Sequence, residues 1–317
     1  MFRPLAPVDL VISGPTASGK SRFAIAWAKQ FNAEVISADS RQVYRELSIG
    51  TGKPSPQERE EIPHHLLDRC SVTETYSAGD FVRDARSAIR DIQERGKRVI
   101  VCGGTGLYIK ALLGGLVELP KLSSSHYESF RRQLETVSTE SLHDRLCLAD
   151  PSRARAIHPH DRVRILRGLY LLEQFSLPPT ELYERFRGQG IPANRVVGLD
   201  PGRESLYAGI AMRVSRMLQE GWVDEVDGLL KAGIPPDSAG FNSLGYREVI
   251  DCLCGRAPWA DLEERIIVKT RQYAKRQLTW FRHMDQLMWI HPEESGSFSL
   301  EPPSNYGTIK TISHNER

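Results

Sequence analysis

Gly14-Pro15-Thr16-Ala17-Ser18-Gly19-Lys20-Ser21 has the spacing of a phosphate-binding loop: four residues between two glycines, then Lys, then Ser or Thr. Each position has a chemical reason. Gly14 and Gly19 permit backbone geometry and close approach that a Cβ would hinder, so successive N–H groups can turn toward phosphate oxygens. Lys20 adds a point charge to the same anion, and the Ser21 hydroxyl suits a Mg²⁺ ion shared between protein and phosphate. Upstream, Asp9-Leu10-Val11-Ile12-Ser13 reads as a buried strand. Downstream, Ala24, Trp27, Ala28 and Phe31 recur at helical spacing, which sets the loop at a helix N-terminus whose dipole favours anions. The stretch predicts an α/β core and a bound phosphate or diphosphate. It leaves open what the phosphate is attached to.

The composition narrows the class. A chain of 317 residues suggests about two domains at ~100–200 residues each. Its 40% hydrophobic and 26% charged content is that of an ordinary soluble globular protein. No apolar run approaches ~18 residues, so no membrane span is expected. The opening Met1-Phe2-Arg3-Pro4 lacks an apolar segment suited to export, and a cytoplasmic location is expected. Cys70, Cys102, Cys147, Cys252 and Cys254 form no CxxC pair and no His/Cys zinc spacing, which fits reduced thiols. A net charge of +2 does not announce nucleic acid, so the distribution of charge has to be followed along the chain. Nothing signals an oligomer, and a monomer is expected.

Ala33-Glu34-Val35-Ile36-Ser37-Ala38-Asp39 reads as a second strand ending in a carboxylate. Ligands in open α/β sheets gather beyond the carboxyl ends of strands, so Asp39 should face the same crevice as the phosphate loop. Capping a following helix is the equally weighted alternative. His64 and His65, adjacent on an extended segment, point opposite ways, and a structural role suits them better than metal binding. Ser77-Ala78-Gly79-Asp80 resembles a capping box opening a helix whose apolar stripe is Phe81, Ala85, Ala88 and Ile92, with Gly96 ending it. A third strand, Arg98–Cys102, ends in Gly103-Gly104-Thr105-Gly106 and lacks the acid that many phosphate-loop nucleotidases place there for Mg²⁺. A second anion-contacting turn is expected instead.

Residues 118–190 read as helices at 127–137, 139–148 and 161–175, the last stopped by Leu177-Pro178-Pro179, with no strand. Within 151–167, Arg153, Arg155, Arg162, Arg164 and Arg167 face a single acid, Asp161. Either a phosphate-contacting face or a solvated helix surface fits that cluster. Strand texture returns at Arg195–Asp200, so 118–190 is read as a helical insertion in one core formed by 1–117 and 191–292. A long helix from about Arg203 to Gly221 carries Arg213. Asn242-Ser243-Leu244-Gly245-Tyr246-Arg247 reads as a turn. A final helix over roughly 262–283 has Ile267, Ala274, Leu278 and Phe281 on one face. Arg265, Lys269 and Arg276 lie opposite, with Arg271, Lys275 and Arg282 on a flank. Six basic residues and no acid in 265–283 form the strongest polynucleotide signal in the chain. Residues 293–317 read as a loose tail.

Taken together, the chain resembles the tRNA dimethylallyltransferases, or isopentenylpyrophosphate transferases. The resemblance rests on residues 14–21, Ser37–Tyr44, Ile49–Pro54 and Pro63–Asp68. It extends through Gly103–Tyr108, His158–Arg167, Leu244–Glu248 and Thr270–Arg282. It implies a P-loop NTPase-like parallel sheet with an inserted all-helical, tRNA-binding domain. It also implies transfer of a dimethylallyl group from dimethylallyl diphosphate to N6 of the adenosine just 3′ of a tRNA anticodon. The loop would then hold the diphosphate leaving group and Mg²⁺, not ATP. By the same resemblance Asp39 is the catalytic carboxylate, with Thr16 beside it, and Thr16, Lys20 and Arg213 contact the diphosphate substrate. Asp39, Ser40, Arg41, Gln42 and Thr105 fall in tRNA-contacting segments, as do Val163-Arg164-Ile165-Leu166-Arg167 and Asn242–Arg247. From their charge, Arg271 and Lys275 join them. Two features depart from the family pattern: His160 replaces a usual Asn, and Lys121–Ser125 replaces a Pro- and Asp-containing linker. No zinc-finger extension of the eukaryotic kind follows the core, which suggests the bacterial type.

The chemistry is consistent with that implication. Adenine's amine is a weak nucleophile whose proton must leave as the C–N bond forms, a task for a carboxylate. Breaking an allylic C–O bond builds charge on diphosphate, which loop amides and cations stabilise. The base must also leave its stack, and a basic clamp helps hold it out. Two other readings remain open on residues alone. A small-molecule kinase explains 14–39 but not the basic helix. A non-catalytic RNA-binding adaptor explains the basic patches but leaves the phosphate loop idle.

Overall fold

Short apolar runs bounded by turn residues become six strands. These are β1 (Leu10–Ser13), β2 (Ala33–Ser37), the two-residue β3 (His64–His65), β4 (Arg98–Gly103), β5 (Val196–Leu199) and β6 (Met288–Ile290). In the computed structural model, which describes residues 5–117, 119 and 122–292, they form one sheet in the order β3-β2-β4-β1-β5-β6. Every neighbouring pair is parallel. β1, β2 and β5 are buried along their whole length, the mark of strands covered on both faces. β1 lies centrally, with Leu10–Ser13 opposite Ile100–Gly103 and Val11–Ser13 opposite Val196–Gly198. The chain leaves β1 for β2, two positions away, and returns to β4 between them. The turns after β1, β2 and β4 thus come together at one end of the sheet.

Helices follow in chain order: α1 (Lys20–Phe31), α2 (Pro56–Glu61), α3 (Ala78–Glu94), α4 (Gly106–Gly114), α5 (Ser124–Gln133), α6 (Thr139–Ala149), α7 (Pro151–Arg155), α8 (Arg162–Phe175), α9 (Pro179–Arg185), α10 (Arg203–Gln219), α11 (Trp222–Lys231), α12 (Tyr246–Leu253) and α13 (Leu262–Arg282). The chain divides into two compact units, one running to Gly114 and resuming at Ile191, the other Gly115–Gly190. In the first, α1 buries Ala24, Ile25, Trp27 and Ala28 in a core shared with Leu10, Ile12 and Ile100 of the sheet. A second core gathers Ile210, Val214 and Met217 of α10 with Trp222, Tyr246, Ile250, Ile266 and Ala274. The capping box at Ser77 and Asp80 is present, and Phe81, Ala85, Ala88 and Ile92 are buried below it. Among the described residues no helix is long and apolar enough to cross a membrane.

The helical unit has its own core, with Leu142, Leu146, Ile165, Leu166 and Tyr170 at its centre. Two short helices of this unit, α7 and α9, escape the sequence reading. α7 is capped by Asp150, whose Oδ1 accepts the Arg153 N–H at 2.9 Å. Pro179 does not merely stop α8: it is the first residue of α9, where its missing N–H costs nothing. α5 ends at Gln133, short of the expected 137, and the Arg162 guanidinium donates to the freed carbonyls of Leu134 and Val137 at 2.5 and 2.7 Å. The arginine cluster therefore divides. Arg162 closes this turn and Arg153 lies over Tyr183, whereas Arg155 and Arg164 are exposed. The tail expected at 293–317 and the linker residue Lys121 lie outside the described residues.

Candidate active site

Beyond β1 the backbone turns sharply. A Cβ on Gly14 would sit 2.8 Å from the Leu199 carbonyl oxygen, and Gly19 adopts a left-handed φ of 86° as the N-cap of α1. No side chain caps α1 and its first turn holds no acid, so its leading N–H groups are presented toward an anion. Ser18 Oγ is buried beside Gly14 with no hydrogen-bond partner, a polar atom that suits an anionic ligand. Ala17 is itself left-handed at φ 62°. Lys20 bends back over the loop, its Nζ donating to the Pro15 carbonyl at 3.0 Å. Burial holds its ammonium below the ordinary lysine range, opposed by the nearby Cys102 and Asp39 and reinforced by Arg213.

After β2, Asp39 caps no helix. The chain turns instead, and Asp39 Oδ1 accepts the Arg41 N–H at 2.8 Å in a local turn that fixes the carboxylate. Thr105, after β4, receives the Ser40 N–H on Oγ1 at 3.0 Å. Arg213, from α10, donates to the Thr51 carbonyl at 3.4 Å, and burial lowers its pKa against the pull of Asp39. Thr16, Lys20, Ser21, Asp39 and Arg213 all line one cavity of about 510 Å³. Arg41, Gln42, Asn242, Ser243, Leu244 and Arg247 line it as well. Tyr273 forms another wall, its phenol pushed up to about 12 by burial and by Asp39.

Several predicted contact residues also make contacts within the protein, and others are exposed. Gln42 accepts from Ser37 Oγ at 2.9 Å and donates to the Gly52 carbonyl at 3.0 Å, so it pins the 51–52 turn. Tyr246 is fully buried and donates to Glu225 at 2.7 Å. Ile165 and Leu166 are core residues, leaving Val163 and Arg164 as the exposed members of their segment, with Arg167 half-buried over Tyr127. Arg271 lies 5.0 Å over the Tyr207 ring and is half-buried, so it braces α13 against α10, whereas Lys275 is exposed. The histidines are separated: His64 engages the Ile62 carbonyl and His65 the Glu34 carboxylate.

Sequence reasoning passed over three supports. Glu225 accepts the Ser48 and Ile49 N–H groups at 2.9 and 2.8 Å, clamping the 47–52 loop to α11. Lys53, from that loop, pairs with Asp68, which also accepts from Arg59 at 2.8 Å. Gln277 joins α13 to the phosphate loop. Such a site can hold a diphosphate between loop amides, Lys20 and Arg213, and can present a carboxylate to a second reactant in the same cavity.

The family model for IPP transferase matches residues 42–284. A protein of Geotalea uraniireducens named tRNA dimethylallyltransferase 2 is 44% identical over 90% of this chain and 93% of its own length. The tRNA dimethylallyltransferase of Geobacter sulfurreducens is 41% identical over 96% and 94%. Among solved structures, the tRNA isopentenylpyrophosphate transferase of Bacillus halodurans superposes with a TM-score of 0.66 at 35% identity. That match covers 90% of this chain and 89% of the other. A eukaryotic dimethylallyltransferase described as acting on tRNA gives a TM-score of 0.75 at 30% identity, covering 90% and 74%. The phosphate loop, the carboxylate facing it and the match over most of the chain agree, and the chain belongs to the IPP transferase family.

Proposed function

We propose that this protein transfers a dimethylallyl group from dimethylallyl diphosphate to N6 of the adenosine 3′ to a tRNA anticodon, releasing diphosphate. The observation that carries the reading is the shared cavity: the phosphate loop, Lys20, Arg213 and Asp39 all line it. The leading N–H groups of α1, with Lys20 and Arg213, would bind the diphosphate and stabilise the charge that grows on it as the allylic C–O bond breaks. Asp39, fixed through the Arg41 N–H, would accept the amine proton as the new C–N bond forms. Thr16, on the loop, would help position the donor.

Ser21, at the start of α1 in the same cavity, offers a hydroxyl suited to Mg²⁺. With diphosphate oxygens it would hold the ion, which supplies charge neutralisation when bound. The turn after β4 offers no carboxylate for it. The exposed Lys275 and Arg276 of α13, with Arg155 and Arg164 of the helical unit, supply the charge that tRNA requires. The protein would act as a monomer, and a tRNA substrate suits a cytoplasmic location.

The test is to incubate the protein with dimethylallyl diphosphate and bulk tRNA without ATP, digest the RNA and weigh its nucleosides. An adenosine heavier by one dimethylallyl group, mapped next to the anticodon, is the expected product. Phosphoryl transfer in a parallel incubation that contains ATP would support a kinase instead, and binding without product would support an RNA-binding adaptor.

A further inference from the structure

α13 carries a polar residue where its buried stripe would be apolar. Gln277 is only 6% exposed, on the same side as Ile266, Thr270, Ala274 and Phe281. Its amide does two jobs at once. Oε1 accepts the Thr16 N–H at 2.9 Å, and Nε2 donates to the Gly104 carbonyl at 2.9 Å. Gly104 accommodates this, since a Cβ there would lie 2.4 Å from Gln277 Nε2. The next residue, Thr105, donates its N–H to the Ala38 carbonyl at 3.2 Å and accepts the Ser40 N–H on Oγ1 at 3.0 Å. Those two contacts flank Asp39. The ladder between β1 and β4 ends at Ser13 and Gly103, so beyond it one side-chain amide holds the two turns together.

We propose that Gln277 is a positioning residue: it sets the phosphate loop against the turn after β4, and through that turn fixes the bound diphosphate relative to the Asp39 carboxylate. The inference rests on the proposed reaction for its catalytic consequence, but not for its effect on the phosphate loop. Only glutamine fits both contacts. Glutamate lacks the donor, asparagine is one methylene short, and methionine matches the shape with neither function. The Thr16 N–H is spent on Gln277, so the amide shapes the loop and does not itself reach the anion.

The experiment uses the full chain with Gln277→Met and, independently, Gly104→Ala, whose methyl displaces the same amide from the other side. Calorimetry with inorganic diphosphate reads the loop and needs no transfer chemistry. Single-turnover rates at saturating donor and tRNA read alignment, and filter binding reads tRNA affinity. Gln277→Met should weaken diphosphate binding about tenfold and slow transfer by roughly 10–100-fold, the scale of a small misplacement of reacting groups. Its tRNA affinity should stay that of the wild type. Gly104→Ala should act in the same direction, and the double variant should be no worse than Gln277→Met, because both break one link. A variant that melts earlier but binds diphosphate and turns over normally overturns the proposal. So does loss confined to tRNA affinity, or additive losses in the double variant. If the wild type transfers no prenyl group, the proposed function fails, while diphosphate binding still decides whether Gln277 sets the loop.

Discussion

Asp39 holds one oxygen against the Arg41 N–H and shares its cavity with Lys20 and Arg213. Asp39→Asn keeps that hydrogen bond and the side-chain volume but cannot accept a proton. Single-turnover transfer at saturating tRNA should fall by roughly 10²–10⁴, with tRNA affinity little changed. Retained activity would mean that the carboxylate only shapes its turn. At this scale the sequence was legible where chemistry is local. Residues 14–21 declare an anion site because four of its requirements are met within eight consecutive positions. Gln277 was not legible, because its partners Thr16 and Gly104 are remote in the chain. The available signal was a glutamine on the buried stripe with Ala274 and Phe281. Arg271 is a related case: its charge suggested RNA, and its contact with the Tyr207 ring was not legible because that ring comes from another helix.

α13 gathers its charge unevenly. Arg265 pairs with Asp261, Lys269 with Glu248, and Arg271 stacks on Tyr207, while Lys275 and Arg276 remain exposed. Replacing Lys275 and Arg276 with Ala should weaken tRNA binding and flatten its salt dependence. The slope should fall by about 0.7 per lost single-strand phosphate contact, or about 0.9 on a duplex. An unchanged slope in filter binding would make the two a solvated face. β2 offers a separate test. Glu34 is almost fully buried between Arg95, which donates to it at 2.8 Å, and His65 at 2.6 Å. The Arg95 guanidinium, and then His65, hold its carboxyl below the ordinary range despite burial. A carboxylate with a depressed folded pKa stabilises above its unfolded value of about 4.3 and loses that contribution as pH falls through the folded value. Glu34→Gln should therefore lower the melting temperature by up to about 4 °C at neutral pH, with the gap closing below about pH 4. A gap that persists into acid would assign the effect to packing. Long amphipathic elements such as α3 and α13 were readable from their stripes. α7 and α9 were not, being 5 and 7 residues long, too short for a helical period to stand out.

At the scale of the whole molecule, one parallel sheet brings the turns after β1 and β2 to one cavity, which α10 and α13 line with Arg213 and Gln277. The sequence implied such a core from its strand–loop–helix opening. The expectation that Asp39 faces the phosphate loop came from the carboxyl-end rule for open α/β sheets, whereas the strand order, with β4 returning between β1 and β2, was not legible. The central claim is that this loop grips a leaving diphosphate and not a nucleotide. It is tested most directly by counting diphosphate released against labelled dimethylallyl groups entering tRNA, with ATP rigorously excluded. Equal amounts, unchanged when ATP is restored, are expected. Label that enters tRNA only when ATP is present and hydrolysed, or diphosphate release without label in RNA, would contradict the account.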